Sequence, residues 1–151
     1  MAEHLVEILL VEDNPNDAEL SLYALRKHHI ANHIHLARDG IEAIDYLFGT
    51  GSYMGRNVEE TPKVVLLDLK LPKMDGLEVL KRIKSDTRTR QIPVVVLTSS
   101  REERDIIESY NLGVNSYIVK PIDFEQFSES VRQLGLYWVL LNESPMSKSE
   151  A

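Results

Sequence analysis

The feature that most constrains this sequence is the stretch of residues 64–68, in which four apolar residues are followed at once by Asp68. Four apolar residues without alternation are typical of a strand buried on both faces, as in a parallel sheet. A carboxylate at the end of such a strand lies beside a low-dielectric interior, where a charge is costly unless other groups compensate it. The stretch therefore predicts a parallel sheet, and it requires other residues to offset the charge of Asp68.

Similar apolar runs alternate with amphipathic segments along the chain. Strands are predicted over residues 5–12, 33–37, 63–68, 92–100 and 114–121. Helices are predicted over residues 15–29, with Asn14 as the N-cap, and over residues 39–49, 75–86, 101–113 and 123–142. Because strand and helix alternate, the pattern indicates an α/β fold with helices on both faces of a parallel sheet. In such folds ligands bind at the carboxyl ends of the strands.

Two segments lie outside this alternation, and one helix has a predicted inner face. Residues 50–62 are predicted to form a polar loop. Residues 143–151 are small and polar, and we expect a disordered tail there, which leaves one domain over residues 1–142. In the helix predicted over residues 39–49, the apolar residues are expected on or near one face, which would be the buried one: Ile41, Ile44, Tyr46, Leu47 and Phe48.

The composition argues against several classes of protein. The chain has 151 residues, of which 43% are apolar and 27% charged, as in an ordinary globular domain. A net charge of −7 argues against nucleic acid as a partner. The chain has no cysteine, which excludes disulfides and thiolate metal sites and fits a reducing compartment. No apolar stretch approaches the roughly 18 residues of a membrane span, so we expect a cytoplasmic protein that does not bind membranes.

Charged and hydroxyl side chains lie at the ends of four of the predicted strands. The first strand ends in Glu12 and Asp13, the third in Asp68, the fourth in Thr98 and the fifth in Lys120. Because the carboxyl ends of parallel strands share one edge, we expect these side chains to meet there. Clustered carboxylates raise each other's pKa values unless a cation intervenes, and Mg²⁺ suits an all-oxygen site. The set predicts phosphoryl transfer with Asp68 as the nucleophile and with Mg²⁺ and Lys120 offsetting the developing charge.

Four segments of the chain resemble the motifs of response-regulator receiver domains of two-component signalling: ILLVEDNPND, VVLLDLKLPKMDG, VVVLTSS and SYIVKP. The resemblance covers residues 5–142 and implies a doubly wound, flavodoxin-like (βα)5 fold with strand order 2-1-3-4-5. It implies a cis bond before Pro121. It also implies that Asp68 is the phosphoacceptor, that Thr98 and Tyr117 are the switch residues, that Lys120 binds the phosphate, and that Mg²⁺ is held by Glu12, Asp13, Asp68 and the backbone carbonyl of Lys70.

This chain has Glu12 where many family members have aspartate, and the longer side chain could reach the metal through a water molecule. Lys70 and Ser100 lie two residues after the predicted phosphoacceptor and switch hydroxyl, and we expect them to tune the lifetime of the phosphoryl group.

The resemblance implies a stand-alone response regulator that is phosphorylated by a sensor histidine kinase and is not a turnover enzyme. Phosphorylation would draw Thr98 toward the phosphate and Tyr117 inward. The surface formed by residues 101–113, 114–121 and 123–142 would then change shape and signal by protein contact or phosphorelay to an unknown target. The start of the chain, the loop after Phe48 and the segment LGLYWVLLN resemble small regulators paired with phytochrome-type histidine kinases.

Two other functions stay open on the sequence alone. The chain could be an adaptor with a receiver fold that works without phosphorylation. It could also be a small aspartyl-phosphate phosphatase, although that class places a second acid two residues after the nucleophile, where this chain has Lys70.

Two further segments allow more than one interpretation. The segment LGLYWVLLN is apolar on nearly all sides, which predicts either burial against the sheet or a homodimer interface including Tyr137 and Trp138. A cluster of histidines resembles a metal site, but its members fall on a helix end and a short strand, and we do not expect them to bind metal: His28, His29, His33 and His35.

Overall fold

The computed structural model describes residues 7–27, 33–71, 73–98 and 113–135. Its strands are β1 (Ile8–Val11), β2 (Ile34–Ala37), β3 (Val64–Asp68), β4 (Val94–Thr98) and β5 (Ser116–Val119). Its helices are α1 (Pro15–Lys27), α2 (Gly40–Phe48), α3 (Gly76–Ser85) and α4 (Phe124–Gln133). Several sequence predictions fall outside the described residues: His28, His29, Ser100, nearly all of the helix over residues 101–113, Tyr137, Trp138 and the tail.

The five strands form one parallel sheet in the order β2-β1-β3-β4-β5, which confirms the predicted fold class. The register pairs Val11 with Leu67, Asp68 with Leu97 and Thr98 with Val119. The residues that end or directly follow β1, β3, β4 and β5 therefore lie at a common edge of the sheet. The sheet thus brings together side chains that are far apart along the chain.

Both faces of the sheet are covered, because successive side chains of a buried strand point to opposite sides. Leu9, Val65 and Val96 belong to a core shared with α2 and α3, whereas Leu10 and Leu66 belong to a core shared with α1 and α4. All four side chains of β1 and all five of β3 and of β4 are buried. The uninterrupted apolar runs of the sequence reflect this double burial.

Short polar side chains begin the helices. Asn14 Oδ1 accepts hydrogen bonds from the backbone N–H groups of Asn16 and Asp17, so Asn14 caps α1 as predicted. Asp39 caps α2 and Asp75 caps α3 in the same way, each accepting from the N–H group three residues later. None of the described helices is long and apolar enough to cross a lipid bilayer.

The region around α2 differs from the sequence prediction in two respects. Ile41 is 43% exposed, so its predicted place near the buried face is wrong. Each residue turns a helix by about 100°, and Ile41 lies at the edge of the stripe that Gly40, Ile44 and Leu47 bury. The loop over residues 50–62 contains a 3-10 helix, Gly51–Tyr53, that was not predicted.

Candidate functional site

Charged side chains converge at the carboxyl edge of the sheet, where they line a cleft of about 550 Å³. Glu12 and Asp13 follow β1, Asp68 ends β3 and Lys120 follows β5. One carboxylate oxygen from each of Glu12, Asp13 and Asp68 lies within 4.8 Å of the other two. Glu12 and Asp68 are 1% and 5% exposed, whereas Asp13 is open to solvent. The structure therefore brings together the three carboxylates that the sequence placed at this edge.

Lys120 lies at the centre of this cluster. Its Nζ atom is 2.8 Å from Glu12 Oε1, 2.9 Å from Asp68 Oδ2 and 3.1 Å from Asp17 Oδ2. The ammonium donates hydrogen bonds to Asp17 and Asp68, whereas its contact with Glu12 is an ion pair. Lys120 is thereby held by residues from β3, from α1 and from the end of β1. Its peptide bond to Pro121 is cis, as the family resemblance implies.

Burial dominates the electrostatics of Glu12. It raises the pKa of the Glu12 carboxyl to about 7, with a further upward contribution from Asp68 and an opposing one from Lys120. For Lys120, burial alone would lower the pKa, but its interactions with Glu12 and Asp68 outweigh burial and raise the pKa above its ordinary value. The lysine is therefore cationic throughout the physiological pH range.

The donor set fits a hard divalent cation. All of its side-chain ligands are carboxylate oxygens, which Mg²⁺ and Mn²⁺ prefer. The cleft is lined by four carboxylates, those of Glu12, Asp13, Asp17 and Asp68, against the two ammonium groups of Lys70 and Lys120, which leaves an excess of negative charge when all are ionised. Asp13 is open to solvent, so a cation bound there could keep water ligands, as Mg²⁺ usually does.

The backbone after β3 holds Asp68 in place. The N–H group of Lys70 donates to Asp68 Oδ1 at 3.2 Å, while Oδ2 accepts from Lys120. The N–H group of Gly76 donates to the carbonyl of Leu69, and a Cβ atom on Gly76 would lie 2.5 Å from the backbone oxygen of Asp68. Only glycine permits this close approach. The turn into α3 is thus packed directly against the end of the strand.

Thr98 is fully buried at the end of β4. Among the described residues no group forms a hydrogen bond with its Oγ1, although its backbone oxygen accepts from the N–H group of Lys120 at 2.8 Å. Tyr117 on β5 is half-buried and packs against the core on the α2 and α3 side of the sheet. The two predicted switch residues therefore lie on neighbouring strands. Tyr117 pairs with Val96, which lies two residues before Thr98 on β4.

The sequence reasoning missed Asp17, which lies in the first turn of α1 and contacts Lys120. An acid in the first turn is expected from the helix dipole alone, and that ordinary explanation concealed its second contact. The motif EDNPND could have indicated this contact, because Asp17 is its last residue. Asp17 lies on the helix that directly follows β1, close in sequence to Glu12 and Asp13.

His35 lies outside the cleft, in an aromatic cluster. Its ring stacks on Tyr46 at 4.3 Å between centroids, and its Nε2 atom lies 2.9 Å from the hydroxyl of Tyr53. That hydroxyl donates to Glu42 Oε2 at 2.8 Å. Burial lowers the pKa of His35. The cluster fixes the 3-10 helix against β2 and α2.

Comparison with known proteins identifies the family. Residues 8–132 match the family model of the response regulator receiver domain. The chain is 45% identical over 145 residues to the probable methanogenesis regulatory protein FilR2 of Methanothrix harundinacea, covering 95% of this chain and 90% of that protein. It is 39% identical to response regulator Rcp1 of Synechocystis, covering 87% of this chain and 88% of Rcp1.

Solved structures agree with this result. The bacteriophytochrome response regulator AtBRR is 58% identical, with a TM-score of 0.85 over 93% of this chain and 99% of AtBRR. The Mn²⁺-bound form of Rcp1 is 37% identical, with a TM-score of 0.69 over 92% of this chain and 96% of Rcp1. The phosphorylated cyanobacterial phytochrome response regulator RcpA is 43% identical, with a TM-score of 0.70 over 90% of this chain and 94% of RcpA.

These matches confirm the resemblance drawn from the sequence, including the likeness to phytochrome response regulators, which AtBRR and RcpA are by name. Phosphorylation by a sensor histidine kinase and binding of a divalent cation are typical of such domains, and the acidic cluster of this chain fits a divalent metal site. The chain belongs to the response regulator receiver domain family.

Proposed function

We propose that this protein is a response regulator that accepts a phosphoryl group from a sensor histidine kinase on Asp68. The observation that carries the proposal is the position of Asp68: it ends a buried strand, lies in an open cleft, and has both acidic neighbours and a lysine within reach. An Asp68 oxygen forms a bond to phosphorus while the bond from phosphorus to the donor imidazole nitrogen breaks. The imidazole keeps the electron pair of that bond.

The neighbouring residues hold the charge that this transfer develops. We assign Glu12, Asp13, Asp68 and the backbone carbonyl of Lys70 as the residues that hold Mg²⁺, which supplies positive charge next to the phosphoryl oxygens. The three clustered carboxylates support this assignment, as does the Mn²⁺-bound structure of the relative Rcp1. Lys120, whose Nζ already contacts Asp68, binds a phosphoryl oxygen and offsets its charge.

Thr98 and Tyr117 are the proposed switch. The Thr98 hydroxyl is buried without a hydrogen-bond partner among the described residues, and a phosphoryl oxygen on Asp68 would supply the missing acceptor. Movement of Thr98 frees space that Tyr117, half-buried on the adjacent strand, occupies. Phosphorylation thereby shifts the population between two arrangements of the surface that includes β5 and α4.

Incubation with acetyl phosphate and Mg²⁺, followed by intact-mass spectrometry, tests phosphorylation without a kinase. We expect one labile phosphate adduct on the wild-type protein, none on Asp68→Asn, and none on the wild-type protein after chelation of Mg²⁺. An adduct that persists on Asp68→Asn would contradict the role of Asp68. An adduct that forms equally well with chelator would contradict the role of the cation.

We further propose that the donor is a phytochrome-type histidine kinase in the cytoplasm. The similarity to AtBRR and RcpA, both named as phytochrome response regulators, supports this, whereas FilR2 is named for a different process. The test compares phosphoryl transfer from an autophosphorylated bacteriophytochrome and from a histidine kinase of another pathway at equal concentrations. We expect transfer from the bacteriophytochrome to be much faster, and equal rates would contradict the assignment.

Two expectations from the sequence complete the proposal. The chain catalyses only its own phosphorylation and dephosphorylation, so it does not turn over a separate substrate. We also propose a homodimer interface that includes Tyr137 and Trp138, because tyrosine and tryptophan are enriched in such interfaces; burial within one chain is the alternative.

A further inference from the structure

Among the described residues, Asp17 is the one ion-pair partner of Lys120 that the proposed metal site does not explain. Lys120 Nζ lies 3.1 Å from Asp17 Oδ2, nearly as close as it lies to Glu12 and Asp68. Glu12 and Asp68 belong to the acidic cluster that could hold a cation, and Asp17 is not part of that cluster. Asp17 projects from α1, whereas the other two carboxylates belong to the strand ends.

Glu12 and Asp68 therefore have two sets of partners, Lys120 and the proposed metal ion. In the structure Glu12 and Asp68 each form an ion pair with the ammonium of Lys120. Under the proposed function they also hold Mg²⁺, and Asp68 carries the phosphoryl group. Two cations held by the same carboxylates repel each other. A bound Mg²⁺ would therefore weaken the ion pairs of Lys120 with Glu12 and Asp68.

Asp17 can retain its ion pair with Lys120 when Mg²⁺ binds to Glu12 and Asp68. Its side chain is 38% exposed, compared with 0% for Glu12 and 7% for Asp68, so it does not depend on Lys120 for the neutralisation of a buried charge. The lysine side chain itself is 19% exposed and has no other carboxylate within ion-pair distance among the described residues. Asp17 is the partner that remains when the metal ligands are occupied.

We propose that Asp17 is a positioning residue: it holds the ammonium of Lys120 beside the cleft while Glu12 and Asp68 are engaged by Mg²⁺ and by the phosphoryl group. This inference rests on the proposed function. Without Asp17, Lys120 would contact only Glu12 and Asp68 and would compete more strongly with Mg²⁺ for them. Asp17 thus raises the affinity of the site for Mg²⁺ through the position of the lysine.

A double-mutant cycle separates this effect from loss of a charge near the site. Mg²⁺ is titrated into the unphosphorylated protein, and binding is followed by the NMR shifts of backbone amides around the cleft. We expect Asp17→Asn to weaken Mg²⁺ binding by roughly three- to tenfold. In a Lys120→Met background the same substitution should change the affinity by less than about twofold, because the competing ammonium is absent.

Two control variants test the chemistry of the interaction. Glu19→Gln removes a negative charge from an exposed position of the same helix and should leave Mg²⁺ affinity within about twofold of wild type. Asp17→Glu keeps the charge and should recover most of the affinity. The NMR signal of the Lys120 side-chain amine should shift in Asp17→Asn and stay near its wild-type position in Glu19→Gln.

The possible failures can be told apart. If the wild-type protein binds Mg²⁺ and is phosphorylated on Asp68, but Asp17→Asn binds Mg²⁺ as well as Glu19→Gln does, the inference is overturned and the proposed function stands. An equal loss of affinity with and without the Lys120→Met substitution would also overturn it, because the charge would then act without the lysine. A wild-type protein that neither binds Mg²⁺ nor takes phosphate overturns both.

Discussion

The buried hydroxyl of Thr98 leads to a prediction with an unusual sign. Thr98 is fully buried, and its Oγ1 atom has no hydrogen-bond partner among the described residues. Leaving a buried hydroxyl unpaired costs about 1–3 kcal/mol. Valine has nearly the same shape and no polar atom in the side chain. Thr98→Val should therefore raise the free energy of unfolding of the unphosphorylated protein by about 1 kcal/mol, or the melting temperature by about 4 °C.

A second buried threonine provides a matched control. Thr89 is 1% exposed, and its Oγ1 donates to the backbone oxygen of Ile83 at 2.7 Å. Thr89→Val removes a satisfied hydrogen bond and leaves that buried carbonyl without this donor. It should lower the free energy of unfolding by about 1–2 kcal/mol. The same substitution is thus expected to have opposite signs at the two positions.

The assay is urea unfolding followed by circular dichroism, with and without Mg²⁺ and beryllofluoride as a phosphoryl mimic. Beryllofluoride should stabilise the wild-type protein more than Thr98→Val, because only threonine can donate to the bound group. If Thr98→Val destabilises the unphosphorylated protein as much as Thr89→Val does, Thr98 has a partner in the resting state. If beryllofluoride raises the free energy of unfolding equally in both proteins, the proposed role of Thr98 as the switch residue is contradicted.

Four other predictions follow from the site and the sequence. Gly76→Ala would bring a Cβ atom to 2.5 Å from Leu69 Cα, so the free energy of unfolding should fall by about 1–3 kcal/mol in a urea titration. An unchanged free energy of unfolding would contradict the close packing. Burial raises the Glu12 pKa from 4.5 to about 7, so the folded state holds an extra proton between these values. The free energy of unfolding should therefore fall as pH rises through this range, and Glu12→Gln should flatten the slope; an unchanged slope would refute the assignment. Lys70→Ala should change the half-life of the phosphoryl group more than the rate of phosphorylation, measured by the decay of the phosphate adduct in mass spectra. Equal half-lives in the two proteins would contradict a role of Lys70 in tuning phosphoryl lifetime. Trp138→Ala should reduce the dimer fraction in sedimentation, and an unchanged mass at all concentrations would exclude this interface.

The sheet and its edge were predictable because burial on both faces leaves a direct trace in the sequence. The strands β1, β3 and β4 each contain four consecutive apolar residues, so the point where each strand ends could be identified from the first polar residue after them. Parallel pairing then placed Glu12, Asp68 and Thr98 at one edge without knowledge of any distance.

The missed features depend on contacts between elements rather than on local pattern. The 3-10 helix is fixed by Tyr53, whose hydroxyl meets His35 from eighteen positions away in the chain. No periodicity marks such a contact. The contact of Asp17 with Lys120 was not predicted because an acid in the first turn of a helix already has a local explanation. Ile41 was misplaced because it lies just beyond the edge of the face that α2 buries, and an apolar side chain at that edge can face solvent.

The most direct test of the central proposal is to locate the phosphoryl group. The protein would be phosphorylated with acetyl phosphate and Mg²⁺ and then treated with borohydride, which reduces an aspartyl phosphate to homoserine. Peptide mass spectrometry would identify the modified position. The proposal predicts homoserine at position 68 and nowhere else. Homoserine in place of Asp13 or Asp17, or a phosphorylated protein with unmodified Asp68, would contradict it.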